Sequence, residues 1–450
     1  MSCNLENNQP PVEWHATLIT STKGTAIIIV GFNCRPLAER CTMAGFRPVV
    51  IDYFGDADIR QHAAEGHYFL QESQDPRDGD HFRSWALATL ERVVSKQPGP
   101  GKPMILAGSG FDDEPSCWKR FNELGFLLGN SAMAVQRARN LVAIGSLLKN
   151  NGIGIEIPRT TRVSITPDTG VDGLVQEICK KLKFPIVMKQ TRTAGGSGIE
   201  FMENEASLSK FLAKASDENS GDAGDAKVYN AQEFVGDGDA RDISVIACND
   251  RVVCKTRQII GEARLHAPKR FSYCGNEIPL EPLSPAQDGA IGKLVVALSG
   301  QAGLKGIYGI DFVHKKTRLY FMEINPRIPG SMEPACLALD GNLIIDHVKS
   351  FMRGQERRSI EGRVYVPKYH AIKFILFADR DFSMPRLDNL RLEGELRDIT
   401  PPGTRLVAGM PVLTYLQRGP PDNLANRNNA IINVEKIYAR LHGEEIKQVR

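Results

Sequence analysis

GIYGIDFVHKKTRLYFMEINPRIPGS, residues Gly306–Ser331, decides how this chain is read. It contains two strand patterns, YGIDFV and LYFMEIN, joined by a polar Lys/Thr/Arg turn. If Lys315 lies opposite Leu319, the antiparallel register also sets Asp311 opposite Glu323. Glu323 and Asn325, two apart on one strand, then share a face with it, and Arg327 follows immediately. Two carboxylates and an amide suit Mg²⁺, which takes oxygen ligands and completes its shell with phosphates and water. A solvated hairpin face is the plainer reading. The flanking Tyr308, Ile310, Phe312, Tyr320, Phe321, Met322 and Ile324 argue against it, because carboxylates in an apolar sheet need a partner or a metal.

Working outward, Phe184–Lys189 (FPIVMK) reads as a strand that runs into the loop Gln190–Gly198, QTRTAGGSG. Gly195, Gly196 and Gly198 free the backbone around Ser197 to approach a ligand, and successive amides there can form an anion-binding nest. Lys189, at the strand end, can reach a phosphate held there as a point charge. Gln232–Val235 (QEFV) has the form of an extended hinge: its backbone can pair with an adenine edge, with Phe234 and Val235 as apolar walls. Asp242 follows and can accept from ribose hydroxyls. Taken singly, each of these also fits a plain turn or a surface acid. No GxxxxGK[ST] occurs, and GFNCRPLAER after the first strand lacks GxGxxG, so Walker and Rossmann nucleotide sites are excluded.

The order of a strand lysine, a glycine-rich loop, a Q-E-F-V hinge, a D-F strand and E-I-N-P-R resembles the ATP-grasp superfamily. PIVMKQTRTAGGSGI and FMEINPRIPGSMEP carry the resemblance, and the opening β-α-β and the segment GTRLVAGMPVLTYLQRG extend it toward both ends. It implies an α/β fold with a pre-ATP domain (1–135), a linker helix and nucleotide lobe (136–280), a metal and catalytic lobe (281–360) and a β-rich C-terminal domain (361–450). It further implies an ADP-forming carboxylate–amine or carboxylate–thiol ligase. In this reading Lys189 and the Gly195, Gly196, Ser197 and Gly198 loop cover the phosphates. Gln232, Glu233, Phe234, Val235 and Asp242 hold adenosine, and Asp311, Glu323 and Asn325 hold Mg²⁺, or Mn²⁺ in its place. Arg327, with Lys189, offsets charge on the transferring group, and Ser331 touches substrate or phosphate. The family often carries a phosphate-binding lysine on the preceding helix. Here Ala138–Lys149 has none near its start, and Arg139 is the candidate replacement.

Within the superfamily the chain looks most like a group of small-molecule ligases that includes the tyramine–glutamate ligase of methanofuran synthesis, other enzymes of one-carbon coenzyme pathways and an enzyme of pyrrolysine synthesis. The expected reaction joins an amino acid, plausibly glutamate, to a small amine in coenzyme biosynthesis, and a homodimer is compatible with such folds. Two rivals remain: a carboxylase that activates bicarbonate, and a non-catalytic ATP-binding protein. Lys255, Arg257, Arg264, Lys269 and Arg270 either bind an acidic substrate or form a solvated basic face.

Composition bounds these readings. The 450 residues, 42% of them apolar and 24% charged, suffice for two to four domains with their own cores. A net charge of +3 with interspersed signs gives no footprint for nucleic acid or a membrane surface. The apolar run around Ala26–Val30 is too short for a bilayer, and no leader pattern opens the chain, so a cytoplasmic protein is expected. Nine scattered cysteines without CxxC spacing read as reduced thiols, and nine histidines show no HExxH.

Further elements are expected as a single helix over Ala132–Asn150, exposed loops at DENSGDAGDA and GDGDA, a break near Gly354–Arg363, a loop over RGPPDNLANRN and a closing helix Ala430–His442.

Overall fold

The computed structural model describes residues 24–72, 79–96, 101–166, 170–191, 196, 198–217, 227–352, 365–387, 390–421 and 423–443. It is an α/β protein built on three principal sheets. The first is parallel and five-stranded, in the order Glu65–Tyr68, Arg47–Asp52, Ala26–Gly31, Met104–Ala107, Phe126–Leu127. Its central strand is a β-branched run, Ile27 to Val30, fully buried because both faces are covered.

The second sheet is antiparallel and four-stranded: Thr160–Ile165, Lys227–Glu233, Ile186–Gln190, Ile199–Met202. One face buries Ile186, Met188, Met202 and Ala231 beneath helices Val171–Lys181 and Glu205–Asp217. Val187, Lys189, Phe201 and Gln232 alternate onto the other face.

The third sheet has eight strands, in the order Arg318–Asn325, Ile307–Lys315, Arg241–Cys248, Arg251–Ile260, Tyr273–Ile278, His370–Phe377, Pro411–Gly419, Glu395–Arg397. One continuous sheet thus carries the 307–325 hairpin at its edge and the C-terminal strands at the other end.

Three expectations are corrected. The segment Ala132–Asn150 is two helices, Ala132–Arg139 and Leu141–Asn150. Asn140 breaks them: its side-chain oxygen accepts from Val142 and Ala143 N–H at 3.0 and 3.1 Å, capping the second helix and ending the first at Arg139. The closing helix starts at Asn423 and runs to Leu441, so NLANRN is helical. Asn426 and Asn433 are buried in it, the first holding Gln417 at 2.6 Å and the second the Tyr415 hydroxyl at 2.8 Å. Third, Lys315 faces Arg318, with Leu319 opposite His314. Residues 1–23, 218–226 and 353–364 lie outside the described residues, and with them most of DENSGDAGDA and the break near Gly354. Among the described residues the eight cysteines form no disulfide, and no helix is long and apolar enough to cross a membrane.

The parallel sheet grips both ends of the hairpin. Asn130 donates to the Pro326 carbonyl at 2.9 Å and accepts from Lys305 N–H at 2.8 Å. Asp112, in the loop after Met104–Ala107, holds Arg327 Nε at 2.9 Å in a largely buried pair. Asp112→Ala leaves the guanidinium uncompensated and should lower the unfolding free energy by about 3 kcal/mol. Asp112→Asn, which keeps the hydrogen bond, should cost less than half of that. Denaturant titration of both variants checks the ratio.

His347 is buried where these parts meet. Its Nδ1 accepts from Ile307 N–H at 2.9 Å and its Nε2 lies 3.0 Å from the Leu128 carbonyl, which fits only the neutral ring. Burial lowers its pKa from 6.5 to about 4. The unfolded chain therefore binds the proton first, and the stability due to neutral His347, full above pH 6.5, is lost as pH falls toward 4. Between pH 7 and 4.5 wild type should lose about 2 kcal/mol more than His347→Gln in urea unfolding. Equal losses would remove His347 as the cause.

Candidate active site

The 307–325 hairpin contains a β-bulge. From Lys315 to Phe312 the pairing runs in one register, with Phe312 opposite Phe321. From Asp311 onward it shifts by one, so that Asp311 faces Glu323, Ile310 faces Ile324 and Gly309 faces Asn325. Met322 is the extra residue. The shift lets Leu319, Phe321 and Ile324 all enter the core beneath helix Pro285–Ala297, while Glu323 and Asn325 turn to the opposite face. Without it, Glu323 would point the same way as Phe321.

Asp311, Glu323 and Asn325 are brought together. Asn325 Nδ2 donates to Asp311 Oδ2 at 2.9 Å, and Asn325 Oδ1 accepts from Arg327 at 3.3 Å. Asp311 Oδ1 is buried with no hydrogen-bond partner. Burial first, then the Glu323 charge, raises the Asp311 pKa to about 7. Glu323 keeps 49% of its side chain accessible and so faces a cleft. The cleft walls oppose its charge, but Arg139, Lys189 and Arg327 outweigh them and hold its pKa below the ordinary carboxylate value. Arg139 lies 3.3 Å from Glu323 and 2.7 Å from Asp113.

Lys189 projects from the end of Ile186–Gln190 toward the same cleft, with Nζ 3.9 Å from Met322 Sδ. Enclosure lowers its pKa, while Glu323 and Asp242 act the other way. Asp242 is raised by burial, against the pull of Lys189 and Arg257. Lys189 thus interacts electrostatically with both Asp242 and Glu323. Gln232 is buried and bonds Thr160 at 2.8 Å, and Glu233 accepts from Lys183 N–H at 3.1 Å. Phe234 and Val235 are half-buried beyond them. Gly196 has φ 79°, and Gly198 accepts from Gln190 N–H at 2.8 Å. Gly195 and Ser197 lie outside the described residues. Ser331 opens helix Met332–Leu339 without capping it, and its Oγ is buried and unpartnered.

Other residues join the site without a sequence signal that singled them out. Asp112 and Asp113 clamp Arg327 and Arg139. The Tyr273 hydroxyl donates to Asn276, which bonds Thr256 at 2.8 Å; a Cβ on Gly330 would lie 3.6 Å from that hydroxyl. Behind Ser331, Glu333 is buried between Arg35 at 2.5 Å and Lys373 at 2.8 Å. The basic run is mostly paired: Lys255 with Asp288, Arg257 with Glu277, Arg264 with Glu262, Lys269 with Glu200.

Among the described residues no three His, Cys, Asp or Glu gather as a metal cluster. Two carboxylates and an amide, one carboxylate oxygen lacking any partner, fit an ion that draws the rest of its shell from phosphate and water.

The ATP-grasp domain family matches residues 147–331. The carbamoyl phosphate synthase large chain of Pyrococcus furiosus is 23% identical over 278 residues, which cover 62% of this chain and 24% of that one. The chain spans about a quarter of the length of the curated relatives it matches. The L-amino acid ligase of Bacillus licheniformis superposes with a TM-score of 0.64 at 16% identity, over 94% of this chain and 98% of that one. The biotin carboxylase domain of the 2-oxoglutarate carboxylase of Hydrogenobacter thermophilus, solved with MgADP and bicarbonate, gives 0.63 at 14% identity, over 87% and 86%. With the strand order, the bulged hairpin and the strand lysine in view, residues 147–331 match the ATP-grasp domain family, and the chain as a whole shares the fold of these solved structures.

Proposed function

We propose that this chain is an ATP-dependent, ADP-forming ligase that joins a small carboxylic acid to an amine through an acyl-phosphate. One observation carries the reading: Asp311, Glu323 and Asn325 meet Arg139, Lys189 and Arg327 in one cleft. A protein that only binds nucleotide has no need to gather that set. The division into units 1–135, 136–280, 281–360 and 361–450 is part of the proposal.

In this reading Lys189 and the Gly195–Gly198 loop, Ser197 included, hold the phosphates of ATP, and Gln232, Glu233, Phe234, Val235 and Asp242 hold adenosine. Asp311, Glu323 and Asn325 would hold Mg²⁺, or Mn²⁺, which supplies positive charge at the phosphate oxygens. Arg327, fixed by Asp112 and Asn325, orients the substrate carboxylate, and Arg139 and Lys189 offset charge that builds during transfer. A carboxylate oxygen attacks the γ-phosphorus and ADP leaves. The amine nitrogen then attacks the acyl carbon, phosphate leaves and the amine proton passes to solvent. Ser331 Oγ, with no partner of its own, offers a hydrogen bond to the acyl-phosphate. Positioning and electrostatics do the work, and no side-chain nucleophile is needed.

The sequence resemblance favours glutamate as the acid and a small amine as acceptor, in coenzyme synthesis. The neighbouring folds include both an amino-acid ligase and a bicarbonate-binding carboxylase at similar TM-scores, so bicarbonate is the competing substrate to test.

Phosphate release from Mg-ATP, measured with pools of amino acids and amines and separately with bicarbonate, tests the reading. Release that needs an acid and an amine together is expected; release with bicarbonate alone would favour the carboxylase. Glu323→Gln should reduce turnover at least about 100-fold with the fold intact by circular dichroism. Lys189→Ala should weaken ATP binding about tenfold, measured by calorimetry; unaltered affinity would remove Lys189 from the phosphate site.

A further inference from the structure

The connection between strands Arg251–Ile260 and Tyr273–Ile278 leaves the large sheet and reaches the edge strand Ile199–Met202 of the four-stranded sheet. Its root is fixed. Gly261 N–H donates to the Ser272 carbonyl at 2.8 Å, and Ser272 N–H donates back to the Lys269 carbonyl at 3.1 Å. Gly261 has φ 59°, and a Cβ there would lie 2.2 Å from the Arg270 carbonyl oxygen, so only glycine lets the strap double back this tightly. Pro268 rests against Gly409 from the C-terminal region, where a Cβ would come within 3.0 Å.

The tip makes three contacts across to the other sheet. The Arg270 guanidinium lies 4.0 Å from the Phe201 ring centroid, 5.0 Å from Phe234 and 5.7 Å from Phe271. The Phe201 and Phe234 rings meet edge to face at 5.1 Å. Lys269 Nζ reaches Glu200 at 2.7 Å. Gly196 backs onto the Phe271 carbonyl so closely that a Cβ would sit 1.9 Å from its oxygen. The partners are the edge strand, the residue after Gln232–Glu233 and a glycine of the loop after Lys189. A guanidinium on aromatic faces holds its geometry with little hydration to lose, which suits a contact that must make and break.

We propose that Arg270 is a positioning residue. It clamps the four-stranded sheet against the large sheet over bound nucleotide and sets the rate at which the nucleotide leaves. The proposal rests on the nucleotide assignment made above, because a lid matters for release only if the cleft holds the nucleotide.

Two measurements on the full chain separate the two ideas. In the first, hydrogen exchange of Ile199–Met202 is followed without nucleotide in wild type and Arg270→Ala. Faster exchange in the variant, with the melting temperature held within a degree or two, supports the clamp. Unchanged exchange overturns it. In the second, dissociation of Mg²⁺ with the fluorescent analogue mant-ADP is timed by stopped flow. Arg270→Ala should release it about fivefold faster at an unchanged association rate, the effect of losing one exposed cation–π cluster. Arg270→Lys should recover part of the difference. Equal dissociation rates overturn the clamp. A slower, salt-insensitive association in the variant would make Arg270 a phosphate ligand, which also overturns it. If wild type binds no mant-ADP, the nucleotide assignment fails and the exchange measurement alone judges the clamp.

Discussion

Two carboxylates set against each other across a hairpin cannot both stay charged in a cleft without cations, and the rest of this molecule is arranged around that requirement. Asp311 and Glu323 form the pair, and three cations come to it from three directions. Arg139 ends a helix beside the parallel sheet, Lys189 ends a strand of the four-stranded sheet, and Arg327 follows the hairpin itself. Each cation comes from a different element, so the charge balance of the pair depends on three parts of the fold. Glu323 is held ionised by this arrangement, whereas Asp311, deeper and beside Glu323, is pushed to about 7. The asymmetry leaves one strong anion facing the cleft and one carboxyl oxygen without a partner, a pair of features suited to an added cation.

The cations are themselves restrained. Asp113 pairs with Arg139 and Asp112 with Arg327, both from the loop that follows Met104–Ala107. Charged side chains this long lose their preferred direction unless a second group fixes them, and a planar guanidinium is fixed best by a carboxylate. The parallel sheet therefore contributes to the cleft by aiming two arginines. The buried Glu333, between Arg35 and Lys373, repeats the device behind Ser331 and joins the parallel sheet, the helix after the hairpin and the C-terminal strands.

Much of the architecture was legible because strands buried on both faces, such as Ile27–Val30, are written as apolar β-branched runs, and because glycines and asparagines punctuate the turns. The pairing of Asp311 with Glu323 was legible too, but the simple register reached it by a cancelling pair of errors. The turn is one residue tighter than assumed, and Met322 bulges out to restore the alignment. A signal existed: Phe321 and Ile324 are both core residues three apart, which a regular strand cannot accommodate on one face. The break at Asn140 was hidden because an asparagine inside a helical pattern declares itself a cap only through its own backbone geometry. The helix over Asn423–Leu441 was hidden because its buried asparagines look polar until their partners, Gln417 and Tyr415, are in place. Asp112 and Asp113 carried no local pattern at all, since their partners lie 215 and 26 residues away.

The central claim is that the hairpin pair, with Asn325, is built to hold a divalent ion against nucleotide phosphates. The most direct measurement is a crystal structure of the protein with ADP and Mn²⁺, with data collected for Mn anomalous scattering. The account predicts an anomalous peak at coordination distance from Asp311, Glu323 or Asn325 and from a phosphate oxygen, with Lys189 on the same phosphates. ADP bound in the cleft with no Mn²⁺ peak at these residues, or Mn²⁺ bound elsewhere, would contradict it.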